Sequence, residues 1–318
     1  MDNANSHGNQ WVQVEFTKDM WIEWNFDDLL QDATTAEESR RLAMAGLVLS
    51  NDAELAAYKA ERVLGNLGFE DIKSEYYLLS TETKNEISNP ARTFGHKLIE
   101  KDGKQYHVIC TVVKGTTTLP DTITDIKSVV DGFYEAGKNC ADSLKQYISG
   151  FEGITKENTI LFITGHSLGA STANVIGRLC GDIAYDEHKF VYTFASPNYE
   201  TEGEADSGET FPSFRTFTNY DDVVPYVPPR LPPTFFFKIE IEHMFHLSEL
   251  EEAQKERFQR VYTYFRGMRF EDDKSLLGLG LRETESLGYR ALKNHMGHTY
   301  MAFILSELPD SEIDHYIR

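Results

Sequence analysis

Short apolar runs alternate along the chain with longer segments in which apolar residues recur every three or four positions. The runs predict β-strands, and the longer segments predict amphipathic helices. Between the first two runs, Asp102-Gly103 is a strong hairpin signal. Because strands and helices alternate from residue 104 to 219, the pattern predicts an α/β fold with a mostly parallel central sheet flanked by helices. The predicted strands cover 94–100, 104–113, 159–164, 190–195 and 214–218, and the predicted helices cover 36–49, 53–66, 121–148, 168–184, 247–266 and 296–308.

The 318-residue chain is acidic, since 31 Lys and Arg against 51 Asp and Glu give a formal net charge of −20. Nucleic-acid phosphates bind clustered basic residues, and the chain has no basic run, so a nucleic-acid partner is not expected. The charge also disfavours attraction to an anionic membrane surface. No apolar run approaches the roughly 18 residues that span a bilayer, so stable membrane insertion is not expected either. The first ten residues lack the features of a signal peptide. We expect a soluble protein that is either cytoplasmic or secreted after signal removal.

The chain has three cysteines, Cys110, Cys140 and Cys180. Their odd number and wide spacing indicate neither a disulfide framework nor a zinc site. Two of them lie in apolar surroundings, so we predict three buried reduced thiols; one disulfide with a free thiol is the alternative.

The sharpest chemical feature is the segment Gly165-His166-Ser167-Leu168-Gly169-Ala170, which fits the pattern G-x-S-x-G between a predicted strand and a predicted helix. This strand–serine–helix order is the one that a nucleophile elbow requires. Glycines two residues before and after Ser167 permit a tight turn, and the following helix start offers free N–H groups to a developing oxyanion. We expect His166 to pack and hydrogen-bond under this turn.

A serine needs a general base, and the order in α/β-hydrolases is serine, then acid, then histidine. The acid candidates, Asp221 and Asp222, follow the predicted strand 214–218, at the edge where α/β sheets place their sites. By chain order alone, five histidines could be the base: His243, His246, His295, His298 and His315. His315 is disfavoured because it lies close to the C-terminus, where chains fray.

These motifs resemble the class 3 lipases, a family of α/β-hydrolases that cleave carboxylic esters. The resemblance spans roughly residues 40–305 and rests on five segments taken together. The last segment is similar to the H-S-M-x-T-Y ending of bacterial members, so the chain looks closer to these than to the small fungal enzymes. The five segments are Val112–Thr116, Gly165–Ala170, Phe190–Pro197, Asn219–Pro229 and His295–Tyr300.

The resemblance implies a catalytic triad of Ser167, Asp222 and His295. It also implies an oxyanion hole formed by the backbone N–H groups of Thr116 and Leu168. His298 is the alternative base. The family's chemistry needs neither a cofactor nor a metal, and its substrate is a small-molecule or lipid ester.

The chain departs from the family pattern at two places. Lys114 stands where the family usually has arginine, at a position that is chiefly structural. Only five residues separate Asp125-Ile126 from Gly132-Phe133, so the lid that many members insert there is short or missing. The range 230–290 contains an aromatic cluster and is a possible cap or lid insertion, with ordinary core packing as the other interpretation. A short lid and an acidic surface favour soluble or neutral esters with short or medium acyl chains.

The site elements extend from residue 116 to 295, so we predict one α/β-hydrolase domain over 1–318 with an N-terminal extension at 1–35. Two other classes of function stay open. One is a non-catalytic binding protein on an α/β-hydrolase scaffold, and the other is an acyltransferase or thioesterase that uses the same triad. The segment 132–139 nearly fits a nucleotide-binding loop, but it lies in a helical pattern and lacks the final hydroxyl residue.

Overall fold

A seven-stranded sheet organises the part of the chain that the computed structural model describes. The described residues are 9–30, 35–76, 88–115, 126–201, 213–227, 236–237, 241–273 and 293–318. The sheet has the order β11-β9-β7-β6-β5-β4-β3, and a separate hairpin pairs β1 with β2. The strands are β1 (Gln10–Glu15), β2 (Asp19–Trp24), β3 (Glu70–Glu75), β4 (Arg92–Lys101), β5 (Lys104–Val113), β6 (Thr159–His166), β7 (Lys189–Phe194), β8 (Glu200–Thr201), β9 (Phe214–Asn219), β10 (Phe236–Phe237) and β11 (Ile241–Phe245).

Within the seven-stranded sheet, β5, β6, β7, β9 and β11 pair in parallel, whereas β3, β4 and β5 pair antiparallel. Strands β8 and β10 form a separate antiparallel pair. Helices cover both faces of the sheet, as expected for parallel strands that bury both of their faces. Together with the serine turn between β6 and the helix after it, this arrangement confirms the expected α/β-hydrolase fold. The helices are α1 (Ala36–Leu55), α2 (Ala57–Asn66), α3 (Ile126–Ile148), α4 (Leu168–Leu179), α5 (Glu252–Arg266), α6 (Gly297–Ser306) and α7 (Asp310–Tyr316).

Alternation along the central strands divides the core into two layers. On β6, Ile160 and Phe162 pack into the layer that contains α1, α5, α6 and the β1–β2 hairpin. Leu161 and Ile163 point to the opposite face, where they pack against α3 and α4. Because side chains alternate between faces, the apolar sequence of β6 is what a strand covered on both sides needs.

The N-terminal segment is part of the main core instead of an appended extension. Alternate residues of the β1–β2 hairpin, including Val14, Ile22 and Trp24, are buried in the same cluster as α1 and the sheet. Helix α1 begins with the capping box that Thr35 and Glu38 predict, in which each side chain accepts a hydrogen bond from the other residue's backbone N–H. The β1–β2 hairpin, expected to belong to an N-terminal extension at 1–35, therefore packs in the same core layer as helix α1.

Residues 241–273, the larger described part of the range 230–290, contribute to the main fold, so a cap does not extend over that whole range. Residues Ile241–Phe245 form the edge strand β11, in parallel register with β9. Helix α5 packs against α6 through Phe258 and Phe303, whose ring centroids lie 4.7 Å apart. Residues 228–235, 238–240 and 274–292 lie outside the described residues. The interval 127–131, where the lid was expected to be short or missing, lies within helix α3.

The three cysteines are free and buried, as predicted. Burial raises the pKa of the Cys140 thiol to about 11 and that of Cys180 to about 12, and it raises the pKa of Cys110 further. All three thiols are therefore protonated at neutral pH, so they behave as small core residues and not as nucleophiles. Among the described helices, none is long and apolar enough to cross a membrane.

Helix α1 contains an acidic residue that is buried in the core. Asp52 is fully buried, and within the described residues neither carboxylate oxygen has a hydrogen-bond partner. Burial raises the pKa of Asp52 to about 7, although the positive charge of Lys59 lowers it and Glu15 raises it further. The folded protein therefore holds a proton on Asp52 at pH values where the unfolded chain has released it.

We expect Asp52→Asn to flatten the pH dependence of stability between pH 4 and 7. In the wild type the folded state binds the extra proton, so the free energy of unfolding falls as pH rises from about 4 to about 7, by up to about 1.4 kcal/mol per pH unit. Urea unfolding at several pH values measures this slope. Asp142→Asn, at an exposed position, is the control and should keep the wild-type slope. Identical slopes in wild type and Asp52→Asn would contradict the assignment.

Candidate active site

The turn between β6 and α4 places Ser167 in a strained backbone conformation. Ser167 has φ 58° and ψ −130°, a region that residues with side chains rarely adopt. A Cβ atom on Gly165 would lie 2.3 Å from the carbonyl oxygen of Gly169. A Cβ atom on Gly169 would lie 2.6 Å from the carbonyl oxygen of Val113. Both glycines are therefore required by close backbone approach, as the pattern G-x-S-x-G predicts.

The hydroxyl of Ser167 has no hydrogen-bond partner among the described residues, although the side chain is buried. Its backbone N–H donates to the carbonyl of Phe194 on the neighbouring strand at 2.9 Å, which fixes the turn to β7. Helix α4 begins at Leu168, so the first N–H groups of the helix lie beside the serine, and that of Ala170 donates to the carbonyl of Ser167 at 2.9 Å. The positive end of the helix dipole therefore lies at the hydroxyl.

Asp222 follows strand β9 and is fully buried with its charge satisfied by three donors. One oxygen, Oδ1, accepts the backbone N–H of Val224 at 3.0 Å. The other, Oδ2, accepts Nδ1 of His295 at 2.8 Å and the hydroxyl of Tyr300 at 2.8 Å. A buried carboxylate is costly unless it is hydrogen-bonded in this way.

The contact with Asp222 determines which nitrogen of His295 carries the proton. A carboxylate can only accept, so Nδ1 of His295 donates and Nε2 of the neutral ring keeps its lone pair. Within the described ranges, Nε2 of this buried ring has no hydrogen-bond partner. The site thus contains a buried basic nitrogen and a buried hydroxyl, and neither has a hydrogen-bond partner among the residues that the structure describes.

Two hydrogen bonds between asparagines and backbone carbonyls connect the loop that carries the acid to the segment that carries the histidine. The side-chain amide of Asn219 donates to the carbonyl of Asn294 at 3.0 Å. In return, the amide of Asn294 donates to the carbonyl of Asp221 at 3.1 Å. These reciprocal contacts fix Asp222 and His295 relative to each other although 73 residues separate them.

Tyr300 has a connecting role that sequence reasoning did not assign. Its hydroxyl donates to Asp222 and accepts the backbone N–H of Asn219 at 3.1 Å. Burial, with the carboxylate of Asp222 beside it, raises the pKa of Tyr300 well above its ordinary value, so the hydroxyl keeps its proton. Tyr300 is the last residue of the His295–Tyr300 ending, and this local motif does not show which groups its hydroxyl contacts.

His298 lies in a separate buried environment. Its ring packs edge-on against Tyr262, with ring centroids 5.2 Å apart, and Tyr262 in turn donates to Asp273. Burial lowers the pKa of His298 to about 3, so the ring is neutral at physiological pH. Asp222 hydrogen-bonds to His295 and not to His298.

The expected oxyanion residues are described in part. Gly169 packs directly against the end of β5, since a Cβ on it would lie 2.9 Å from the backbone nitrogen of Gly115. The residue that follows, Thr116, lies outside the described residues. The end of β5 therefore passes beside the serine turn.

The remaining histidine candidates lie elsewhere. His243 contacts Glu307, and His246 contacts Glu249. No group of three or more potential metal ligands was found in the described part of the chain.

We expect Tyr300→Phe to destabilise the fold through loss of its contact with Asp222. A hydrogen bond to a charged group contributes about 1.5–3 kcal/mol, and the variant also leaves the N–H of Asn219 unpaired. Urea unfolding at pH 7 should therefore show a loss of about that size. Tyr226→Phe is the control. Tyr226 lies on the loop that carries Asp222, its ring is partly exposed, and the substitution should change the free energy of unfolding by less than about 0.5 kcal/mol. Equal effects of the two variants would contradict the network.

Comparison with known proteins gave one family match and several structural similarities. The profile of the family described as Lipase (class 3) matches residues 101–231, less than half of the chain; this range contains Ser167 and Asp222 and ends before His295. A lipase from Rhizopus microsporus var. chinensis is similar at 16% identity over 67% of this chain and 76% of that one, with a TM-score of 0.45. A triacylglyceride lipase from Rhizomucor miehei is similar at 18% identity over 68% and 83% of the two chains, with a TM-score of 0.43. A search of curated proteins found no match. The family match shows that residues 101–231 are similar to the class 3 lipases and supports carboxylic ester hydrolysis.

Proposed function

We propose that the protein is a serine carboxylic ester hydrolase, a lipase or esterase, that acts through an acyl-enzyme. Ser167 is the nucleophile, His295 is the general base, and Asp222 orients the base. The N–H groups of Leu168 and Thr116 stabilise the oxyanion. On the basis of the His295–Tyr300 ending, we further propose that the chain is a member of the bacterial type.

One observation carries this proposal. Asp222 holds Nδ1 of His295 at 2.8 Å, while Nε2 of His295 and Oγ of Ser167 are both buried and unpartnered within the described residues. Buried polar atoms are normally hydrogen-bonded, and exceptions occur where a reacting group is to be received. A basic nitrogen and a hydroxyl in this state are the two groups that nucleophilic catalysis requires.

The chemistry follows from these positions in four events. Nε2 of His295 takes the proton of Ser167 while Oγ attacks the ester carbonyl, and Asp222 stabilises the resulting imidazolium. The negative charge on the carbonyl oxygen is held by N–H groups at the start of α4 and at Thr116, where loss of one donor costs about 3 kcal/mol of barrier. The intermediate then expels the alcohol, which takes the proton from His295. Water, activated by the same histidine, releases the acid from Ser167.

The substrate that we propose is a neutral ester with a short or medium acyl chain. The supporting observations are the net charge of −20, which disfavours anionic lipid surfaces, and the short spacing between Ile126 and Gly132. No step of the mechanism uses a metal or an organic cofactor. A panel of p-nitrophenyl esters of increasing chain length tests this preference, and a sharp rise in rate with long-chain triglyceride above its solubility limit would contradict it.

We expect Ser167→Ala to abolish p-nitrophenyl ester hydrolysis and labelling by a serine-directed phosphonate, with a melting temperature close to that of the wild type. The alanine removes only a hydroxyl that has no partner among the described residues, so the fold loses little. Ser171→Ala is the matched control on the same helix and should keep both activity and labelling.

Three outcomes of that experiment are informative. Wild-type turnover by Ser167→Ala would exclude Ser167 as the nucleophile. A wild type that is neither active nor labelled would favour the non-catalytic binding protein. Acyl transfer to added alcohol or thiol in excess of hydrolysis would favour the acyltransferase or thioesterase alternative.

We expect His295→Ala to lower kcat by about 10⁴-fold or more, since removal of a triad base has effects of that size. His298→Ala should retain most of the turnover, because the ring of His298 packs on Tyr262 and has no hydrogen bond to Asp222. Steady-state kinetics on both variants measures the difference. An active His295→Ala beside an inactive, folded His298→Ala would transfer the role of base to His298.

A further inference from the structure

The residue before the serine contacts the residue proposed as the base. Nε2 of His166 lies 2.8 Å from the backbone carbonyl oxygen of His295, and the two ring centroids are 4.7 Å apart. Both side chains are buried, with 4% and 3% of their surfaces exposed. The contact joins positions 129 residues apart in the chain.

The polarity of this hydrogen bond is fixed by its acceptor. A carbonyl oxygen can only accept, so Nε2 of His166 must carry a proton and donate. The carbonyl of His295 is available because the first N–H groups of α6 bond elsewhere. Those of Thr299 and Tyr300 both donate to the carbonyl of Met296. His166 therefore satisfies a buried carbonyl that the following helix leaves open.

Strand geometry explains why His166 reaches this carbonyl. Successive side chains on a strand point to opposite faces, so His166 shares a face with Phe162 and Thr164. Phe162 packs into the layer that contains α6, and Thr164 donates to the carbonyl of Gly46 in α1. The next residue, Ser167, leaves the strand through the strained turn. The end of β6 thus carries two adjacent residues, one directed at the substrate side and one directed at the backbone of His295.

We propose that His166 is a positioning residue, which holds the backbone of His295 so that Nε2 of the base meets the hydroxyl of Ser167. This inference rests on the proposed function. Asp222 fixes the rotation of the imidazole through Nδ1, whereas His166 fixes the main chain from which the imidazole projects. His166 and Ser167 are neighbours at the end of β6. The contact of His166 with the backbone of His295 therefore also fixes the distance between the base and Ser167. Misplacement of a catalytic group by about 1 Å can reduce the rate about 100-fold.

A neutral imidazole suits this role better than a cationic donor. During the reaction His295 becomes positively charged, and a second positive charge near its ring would oppose that step. Donation from Nε2 of a neutral imidazole satisfies the carbonyl without adding charge. A glutamine at this position keeps a neutral donor, because its Nε2 lies about as far from Cβ as Nε2 of histidine. A phenylalanine keeps the approximate ring shape but has no donor.

The test compares His166→Gln with His166→Phe by ester kinetics and by the rate of phosphonate labelling, well below the melting temperature of each variant. We expect His166→Phe to lower kcat 10- to 100-fold with KM changed less than about threefold, and to slow labelling by a similar factor. His166→Gln should recover most of the loss in both measurements. His107→Gln is the control for removal of a buried imidazole elsewhere in the sheet, where His107 contacts His96, and should keep wild-type kinetics.

Several results would overturn the proposal. One is a kcat of folded His166→Phe within twofold of the wild-type value. Another is a kcat and a labelling rate of His166→Gln that are no higher than those of His166→Phe. If His166→Phe does not fold, His166→Asn replaces it, because its shorter amide cannot reach the carbonyl; equal rates for Gln and Asn then contradict the role. If the phosphonate does not label the wild type, the proposed function itself is refuted. This result distinguishes a failure of the proposed function from a failure of the positioning role of His166.

Discussion

The active-site region depends on a turn that has no room for side chains at two positions. A Cβ on Gly165 would lie 2.3 Å from the carbonyl oxygen of Gly169, and a Cβ on Gly169 would lie 2.6 Å from that of Val113. Three backbone segments, from β5, β6 and α4, therefore meet at van der Waals distance. Ser167 takes the strain, with a positive φ that costs on the order of 1–3 kcal/mol. Packing of β6 and α4 on both sides compensates for that cost and keeps the serine where the helix dipole acts on it.

Around this turn the core contains buried polar groups, most of which form hydrogen bonds with each other. Asp222 accepts three hydrogen bonds, from Val224, His295 and Tyr300, so its charge is stable away from water. Each oxygen of the carboxylate is used, whereas Oγ of Ser167 and Nε2 of His295 are left open in the described region. We propose that the hydrogen-bonded groups hold the site together and that the two groups without a partner in the described region react. His166, which donates to the carbonyl of His295, is of the first kind, and Ser167 is of the second.

Much of the fold and part of the site can be read from the sequence because the signals involved are local. Central strands such as β5 and β6 are apolar on both faces, and the serine turn has its own glycine spacing. Edge strands lack such signals: β3 reads Glu-Asp-Ile-Lys-Ser-Glu, and its polar side chains gave no apolar run. Strand β11 is recognisable only from its pairing with β9, which is a long-range property.

Long-range contacts also explain which site residues the sequence could not supply. Chain order allowed five histidines as the base, and the structure distinguishes them by contacts, since His295 meets Asp222 while His298 meets Tyr262. The roles of Tyr300 and Asn294 depend on partners 73 or more residues away, so even the local motif that contains Tyr300 does not show which groups these side chains contact.

The most direct test of the account is a crystal structure of the protein after reaction with a phosphonate ester. We expect the phosphorus atom on Oγ of Ser167, with Nε2 of His295 within hydrogen-bond distance of an oxygen on phosphorus. His166 should still donate to the carbonyl of His295, and the phosphonyl oxygen should accept the N–H of Leu168. A label on another residue, or a His295 ring turned away from the adduct, would contradict the central claim that this turn brings nucleophile and base together.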